Sequence, residues 1–311
     1  MQTLEQPSVE ASPKLFSRIL VPVDFSEHSR RAFLNAVGLA LRFDLQTYLA
    51  HIITNAPECN GAAASASAEA SRQAAENQLH ELAGSIGPEA PAVTTLLEEG
   101  QLWDAVDRLV QRYKIDLVVL GTRGHGHRPQ PLLGSGAEQI FRHATCPVLT
   151  IGPPAAQQDL SQIQFRSILF VTDFGPSAER AANYAILLAG KYGARFTVLH
   201  VVEDSGATSR LELDHLRQIH VQHMRQSLHA VDRTFVPSEF SVHFGNAADE
   251  ILRAAEETAA DLIVMGAKAG SGWAGHVPLS TAYSVVARAQ CPVLSVRAGR
   301  PHSHYVSSPS D

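Results

Sequence analysis

Along the first half of the chain, short apolar runs alternate with longer segments whose apolar positions recur every three to four residues. Ile19-Leu20-Val21, Leu117-Val118-Val119-Leu120 and Val148-Leu149 are runs of the first kind. Continuous runs of that length suit strands buried on both faces of a parallel sheet, and the helical segments between them suit the crossovers such a sheet needs. The pattern predicts strands near 18–24, 46–53, 92–97, 116–121 and 147–151. It predicts helices near 27–43, 68–84, 100–113 and 135–144.

The second half repeats the first. Arg18 to Ser26 reads RILVPVDFS and Ser167 to Gly175 reads SILFVTDFG, which places Asp24 and Asp173 149 residues apart. His51-Ile52 and His200-Val201 keep that separation. Asp116 to Gly121 (DLVVLG) matches Asp261 to Gly266 (DLIVMG) at 145 residues, as Cys146-Pro147-Val148-Leu149 matches Cys291-Pro292-Val293-Leu294. The change of spacing marks a small length difference between the copies. A duplication this long makes two copies of one α/β fold, each a five-stranded parallel sheet with helices on both faces. The second set of strands falls near 167–173, 195–202, 239–244, 261–266 and 292–297.

A length of 311 residues suits two domains. The boundaries expected are a disordered tail at 1–15, a first domain at 16–152, a linker at 153–164, a second domain at 165–298 and a tail at 299–311. Asn55 to Ser71 is Ala/Ser-rich, carries Gly61, and reads as a connection leading into the second helix. Each half ends in a β-rich strand that would leave an apolar sheet edge open. The two edges are expected to pair within the chain as a pseudo-dimer, with a homodimer of chains as the further assembly.

The chemistry sits after the fourth strand of the first copy. Gly121-Thr122-Arg123-Gly124 is followed nine residues later by Gly134-Ser135, which opens a helix. Glycines let a backbone turn through positive φ and approach a ligand closely, and a helix N-terminus offers unpaired N–H groups to an anion. Ser135 followed by Glu138 also fits a capping box, a purely structural role. In a doubly wound sheet of flavodoxin-like order, ligands bind where the strand order reverses, between the first and fourth strands. Asp24 and Gly121 end those strands and should line one crevice.

The pattern G-x2-G-x9-G-[ST], joined to the first-strand VPVDFS, resembles the nucleotide-binding members of the universal stress protein family, here as a tandem of two domains. That resemblance implies a Rossmann-like, adenine nucleotide alpha hydrolase-like fold and an ATP ligand, with or without Mg²⁺. It places the phosphates at Arg123, Gly124, Gly134, Ser135 and the amide of Gly136, the base near Pro22, Val23, Asp24 and Ile52, and Gly121 in the same ATP site. The second copy departs from the motif: Ala269 stands for Gly124 and Leu279 for Gly134, while Ser280 survives. Its site is expected to be degraded, because a Leu side chain beside the helix N-terminus takes the space of a phosphate and tolerates positive φ poorly. Trp273 fills that loop or simply lies exposed on it.

Weaker signals remain. His125 and His127 flank Gly126 in the first glycine loop, and His220 and His223 share a helix face near His215 without a matched ligand set for a metal. His51 and His200 read as core residues, and Phe33, Trp103 and Tyr113 as packing on helix faces. No P-loop, GxGxxG or GxSxG motif occurs, so the expectation is a nucleotide-responsive module for stress or signalling rather than an enzyme, with weak ATPase activity at most. Ordering of the Gly121 to Gly134 loop by ATP would change the surface shown to a protein partner whose identity the sequence does not name. The competing expectation is a structural or interaction protein that binds no nucleotide.

Composition narrows the classes further. Apolar residues at 45% and charged residues at 18% mark a globular chain. A net charge of −6 without a basic block argues against nucleic acid. The N-terminus lacks an apolar core and no run approaches the ~20 apolar residues of a membrane span, so a cytoplasmic protein is expected. Cys59, Cys146 and Cys291 follow no disulfide spacing and read as reduced thiols.

Overall fold

The computed structural model describes residues 15–54, 62–87, 91–123, 133–152, 164–203, 206, 209–232, 236–267 and 280–298. In the first half the elements are β1 (Arg18–Pro22), α1 (Glu27–Phe43), β2 (Gln46–Ile53), α2 (Ala62–Gly84), β3 (Val93–Glu99), α3 (Leu102–Arg112), β4 (Leu117–Gly121), α4 (Ser135–His143) and β5 (Val148–Ile151). The second half gives β6 (Ser167–Val171), α5 (Pro176–Tyr192), β7 (Arg195–Val202), α6 (Arg210–Val231), β8 (Glu239–Phe244), α7 (Ala247–Glu257), β9 (Leu262–Ala267), α8 (Thr281–Arg288) and β10 (Val293–Arg297).

Among the described residues the ten strands form one sheet in the order β3-β2-β1-β4-β5-β10-β9-β6-β7-β8. Pairing is parallel within each half, and β5 meets β10 antiparallel. The junction is symmetric: Leu149 pairs with Leu294, its equivalent in the repeat, flanked by Thr150 with Val293 and Val148 with Ser295. An approximate twofold axis therefore passes through the Leu149–Leu294 pair, and each copy covers the other's apolar edge.

Side chains alternate across the strands as the pleat requires. Ile19 and Val21 join a core that runs through both halves, from Phe33 and Leu149 to Ile168, Phe170 and Leu294. Leu20 points to the other face, where each half has its own cluster. Aromatic contacts tie the halves on the first face: Phe16 stacks on Tyr184 at 5.3 Å, and Phe43 meets Tyr192 edge-on at 5.6 Å.

Local chemistry sets the element ends. Ser26 caps α1 by accepting the Ser29 N–H, and Pro176 opens α5, which closes on Gly193 at φ 62°. One carboxylate per copy anchors the start of the first strand. Asp116 accepts the N–H groups of Ser17 and Arg18 at 2.8 and 2.9 Å, and Asp261 accepts those of Arg166 and Ser167 at 2.6 and 3.0 Å. Burial nonetheless pushes the Asp116 carboxyl above its ordinary value.

One expectation is corrected here. The stretch read as a connection through Ser71 is helical from Ala62, because its alanines are the strongest helix formers and outweigh the intervening serines; Asn55 to Gly61 lie outside the described residues. Residues 153–163 of the expected linker, residues 1–14 and 299–311 of the expected tails, and Cys59 also lie outside them, whereas Leu15, the last residue of the expected first tail, packs against the core. Cys146 and Cys291 are free, and burial pushes both thiols up to about 12. No helix among the described residues is long and apolar enough to cross a membrane.

Candidate functional site

The strand order of the first half, 3-2-1-4-5, reverses between β1 and β4, and a cleft of about 790 Å³ opens beyond their carboxyl ends. That volume lies within the ~300–1,000 Å³ typical of small-molecule sites. Its floor comes from the end of β1. Pro22 leads to Val23, whose N–H donates to the Ala50 carbonyl at 2.8 Å and whose own carbonyl lies 2.8 Å from His51 Nδ1. Asp24 is exposed, and one of its carboxylate oxygens accepts the Ser26 N–H at 3.0 Å. Phe25 follows at φ 62°, an unusual conformation for an aromatic residue, which packs its ring 4.5 Å from His51. Ser26 is thus the α1 cap, and Asp24 forms an Asx turn at the end of β1 where it lines the cleft.

Gly121 ends β4 and is required by packing. A Cβ there would stand 2.7 Å from the His28 carbonyl oxygen in the first turn of α1. The second copy repeats the contact: a Cβ at Gly266 would stand 2.6 Å from the Ala178 amide nitrogen. Both glycines let the first helix of each copy sit directly on the switch point.

The opposite wall is the N-terminus of α4. Gly134 caps it at φ −59° and ψ 148°, with no side-chain cap hydrogen bond, and its N–H donates to the Thr122 carbonyl at 2.9 Å. Two sequence expectations fail at this point. The Ser135–Glu138 capping box does not form, because the helix begins one residue earlier than a Ser135 cap requires. Nor does Gly134 use positive φ, so its advantage over a larger residue is the space left at the helix mouth. Ser135 is consequently exposed on the first turn, with Gly136 behind it next to Leu102.

Charge around the cleft is mixed. Arg123 is half-buried at its edge, and Glu138 is paired with Arg142 at 2.8 Å. Burial first, then Arg123 and Arg31, pulls the His28 imidazole below its ordinary value. An anion arriving at the α4 N-terminus would meet unpaired amides, Arg123 and the positive end of the helix dipole together.

Pro22, Val23, Asp24, Ile52, Gly121, Arg123, Gly134, Ser135 and Gly136 all line this one cleft. Gly124 lies outside the described residues, as do His125 and His127. Sequence reasoning missed the contribution of Gln101 and Leu102, which enter from the start of α3, and of His143 at the end of α4. Gln101 follows Gly100, at φ 119°, on the same carboxyl side of the sheet, and that position was the available signal. Trp103 lies against His143 at 5.6 Å, and Phe33 is fully buried.

In the second copy Ser280 caps α8 and accepts the Tyr283 N–H at 3.2 Å. Ala269, Trp273 and Leu279 lie outside the described residues. His200 repeats the His51 contact, with Nδ1 2.8 Å from the Thr172 carbonyl. His220 and His223 stack with His200 and Phe174 rather than converging on a point. Among the described residues no group of three His, Cys, Asp or Glu side chains is placed to hold a metal ion.

Fold and cleft together define a duplicated, doubly wound α/β protein with a ligand-sized crevice at the switch point of its first half. The universal stress protein family model matches residues 15–152 and again 164–297, and the chain belongs to that family. A universal stress protein of Thermus aquaticus is 38% identical over 143 residues, covering 44% of this chain and 99% of the relative. One from Methanocaldococcus jannaschii is 28% identical over 144 residues, covering 45% of this chain and 84% of the relative. The crystal structure of a universal stress protein from Archaeoglobus fulgidus shares the fold at a TM-score of 0.65 and 19% identity, covering 91% of this chain and 98% of that one.

Proposed function

We propose that the first domain binds ATP or a closely related adenine nucleotide, and that the chain acts as a nucleotide-responsive module in stress or signalling. The observation carrying this reading is the pairing, across one cleft, of the β1 exit with a helix N-terminus whose cap has no side chain. The base would lie by Val23, Asp24 and Ile52, and the phosphates by Arg123, Ser135 and Gly136. Gly124 would join the phosphate set through its place in the motif. Any Mg²⁺ would arrive on the phosphates and complete its shell with water, as that ion commonly does.

A bound anion at Ser135 bears on α4, the helix that also touches the second domain. Nucleotide occupancy would therefore reach the surface shared by the two halves, which is what a switch needs. The test is to denature freshly purified full-length protein and identify released nucleotide by mass spectrometry, then to follow thermal unfolding with added ATP. Bound adenine nucleotide, or stabilisation approaching about 2.7 kcal/mol at 100 times Kd, is the expected result. Empty protein that also ignores ATP would leave the interaction-protein reading in its place.

A further inference from the structure

Leu133, the residue before Gly134, belongs to the first domain in sequence and to the second domain's core in packing. Its side chain is fully buried in the cluster that holds Leu169, Ile251, Val285 and Val293. Its N–H donates to the Tyr283 hydroxyl of α8 at 3.4 Å, and the next N–H, that of Gly134, donates to Thr122 at 2.9 Å. The approach to the α4 N-terminus is thus held from both sides, by the exit of β4 and by a helix of the other domain.

Tyr283 is buried and meets Phe141 edge-on at 6.4 Å. Its hydroxyl proton donates to a Glu138 carboxylate oxygen at 3.4 Å, while the hydroxyl oxygen itself accepts the Leu133 N–H. Glu138 lies in the first turn of α4, where a free carboxylate would repel a phosphate bound at the same helix end. Arg142 and Tyr283 together hold that carboxylate and draw its charge toward the domain junction. Glu138 and Tyr283 are equivalent positions of the repeat, 145 residues apart, facing each other near the twofold axis. An acceptor in one copy and a hydroxyl in the other make a contact that two identical copies could not make.

We propose that the second domain sets the phosphate end of the first-domain cleft, with Leu133 as the anchor and Tyr283 as the positioning residue for the α4 N-terminus. This rests on the adenine-nucleotide reading above. By reciprocity, a nucleotide that gains from this contact must also tighten it.

The experiment compares full-length wild type with Tyr283→Phe, which keeps the ring and removes the hydroxyl. Calorimetry with ATP should show Kd raised about 3- to 10-fold, the scale of one lost hydrogen bond. Amide exchange, read residue by residue, should accelerate at Leu133 while Val118 and Val119 in β4 stay protected. A second variant, Leu133→Val, should also weaken ATP binding although the side chain points into the other domain. Wild type and Tyr283→Phe binding ATP equally tightly would overturn the positioning role and leave the nucleotide reading standing. Weaker binding with Leu133 exchange unchanged would also overturn it, because the effect would then arise elsewhere. Wild type that binds no ATP would remove the nucleotide reading and this inference with it.

Discussion

Ser135 and Ser280 occupy the same position of the repeat, yet Ser280 caps α8 while Ser135 sits one residue inside α4 with Gly134 at the cap. Around them the copies agree closely. Asp116 and Asp261 hold the first strands, His51 and His200 reach back to equivalent carbonyls, and Gly121 and Gly266 admit the first helix of each copy. Even the left-handed residue is shared, as Phe25 at φ 62° and Phe174 at φ 59°. What the duplication kept are residues with backbone-level work. What diverged is the helix end that opens on the cleft without a side-chain cap in one copy and is capped by its own serine in the other.

The shared scaffold gives the larger expected effects. Gly121→Ala and Gly266→Ala each drive a Cβ into backbone less than 3 Å away, which only a shift of the helix can relieve. Each should cost about 1–3 kcal/mol, and the two costs should be similar. Chemical denaturation of the two variants checks this, and a cost at one glycine alone would break the equivalence of the copies.

The diverged position should give a crossed pair of smaller effects. Ser280→Ala removes a cap hydrogen bond and should cost about 1 kcal/mol of stability. Ser135→Ala removes no cap bond, so its unfolding free energy should stay within about 0.5 kcal/mol of wild type while ATP binding weakens. Equal stability losses in both variants would contradict the difference between the two helix ends.

The smallest effect is set by pH. Burial, followed by the neighbouring His223, holds His220 below its ordinary value of 6.5, and burial likewise lowers His200, with its Thr172 contact opposing. Depressed values mean that the unfolded chain takes up protons first. The stability these groups contribute is therefore complete above about pH 6.5 and lost as pH falls through their lower folded values. Denaturation curves from pH 7.5 downward should show the decline, and His220→Gln should flatten it. An unchanged slope in that variant would remove the histidine cluster from the account.

The repeat made most of the fold legible, because buried strands announce themselves as apolar runs and every run occurs twice. The pairing of β5 with β10 followed from the same reasoning, since two open apolar edges in one chain have each other as the nearest cover. The cap of α4 was not legible. Gly134 and Ser135 are both acceptable caps, and a one-residue shift in helix start depends on what holds Leu133 and Gly134 rather than on their own propensities. Leu133 itself was invisible as an anchor, because its partners Leu169, Ile251 and Tyr283 are contributed by the other copy. The role of Gly121 is only half legible: a glycine after an apolar run signals close approach, but the His28 carbonyl that demands it comes from a distant turn.

On the function proposed above, the two copies share a scaffold and only the first binds nucleotide. Titration calorimetry of ATP into the full-length protein, with Gly134→Leu beside it, tests this most directly. The account predicts one ATP per chain for wild type and a loss of at least about 100-fold in affinity for Gly134→Leu, since the new side chain stands where a phosphate meets the α4 amides. Two equivalent sites per chain, or a Gly134→Leu protein that binds ATP like wild type, would contradict it.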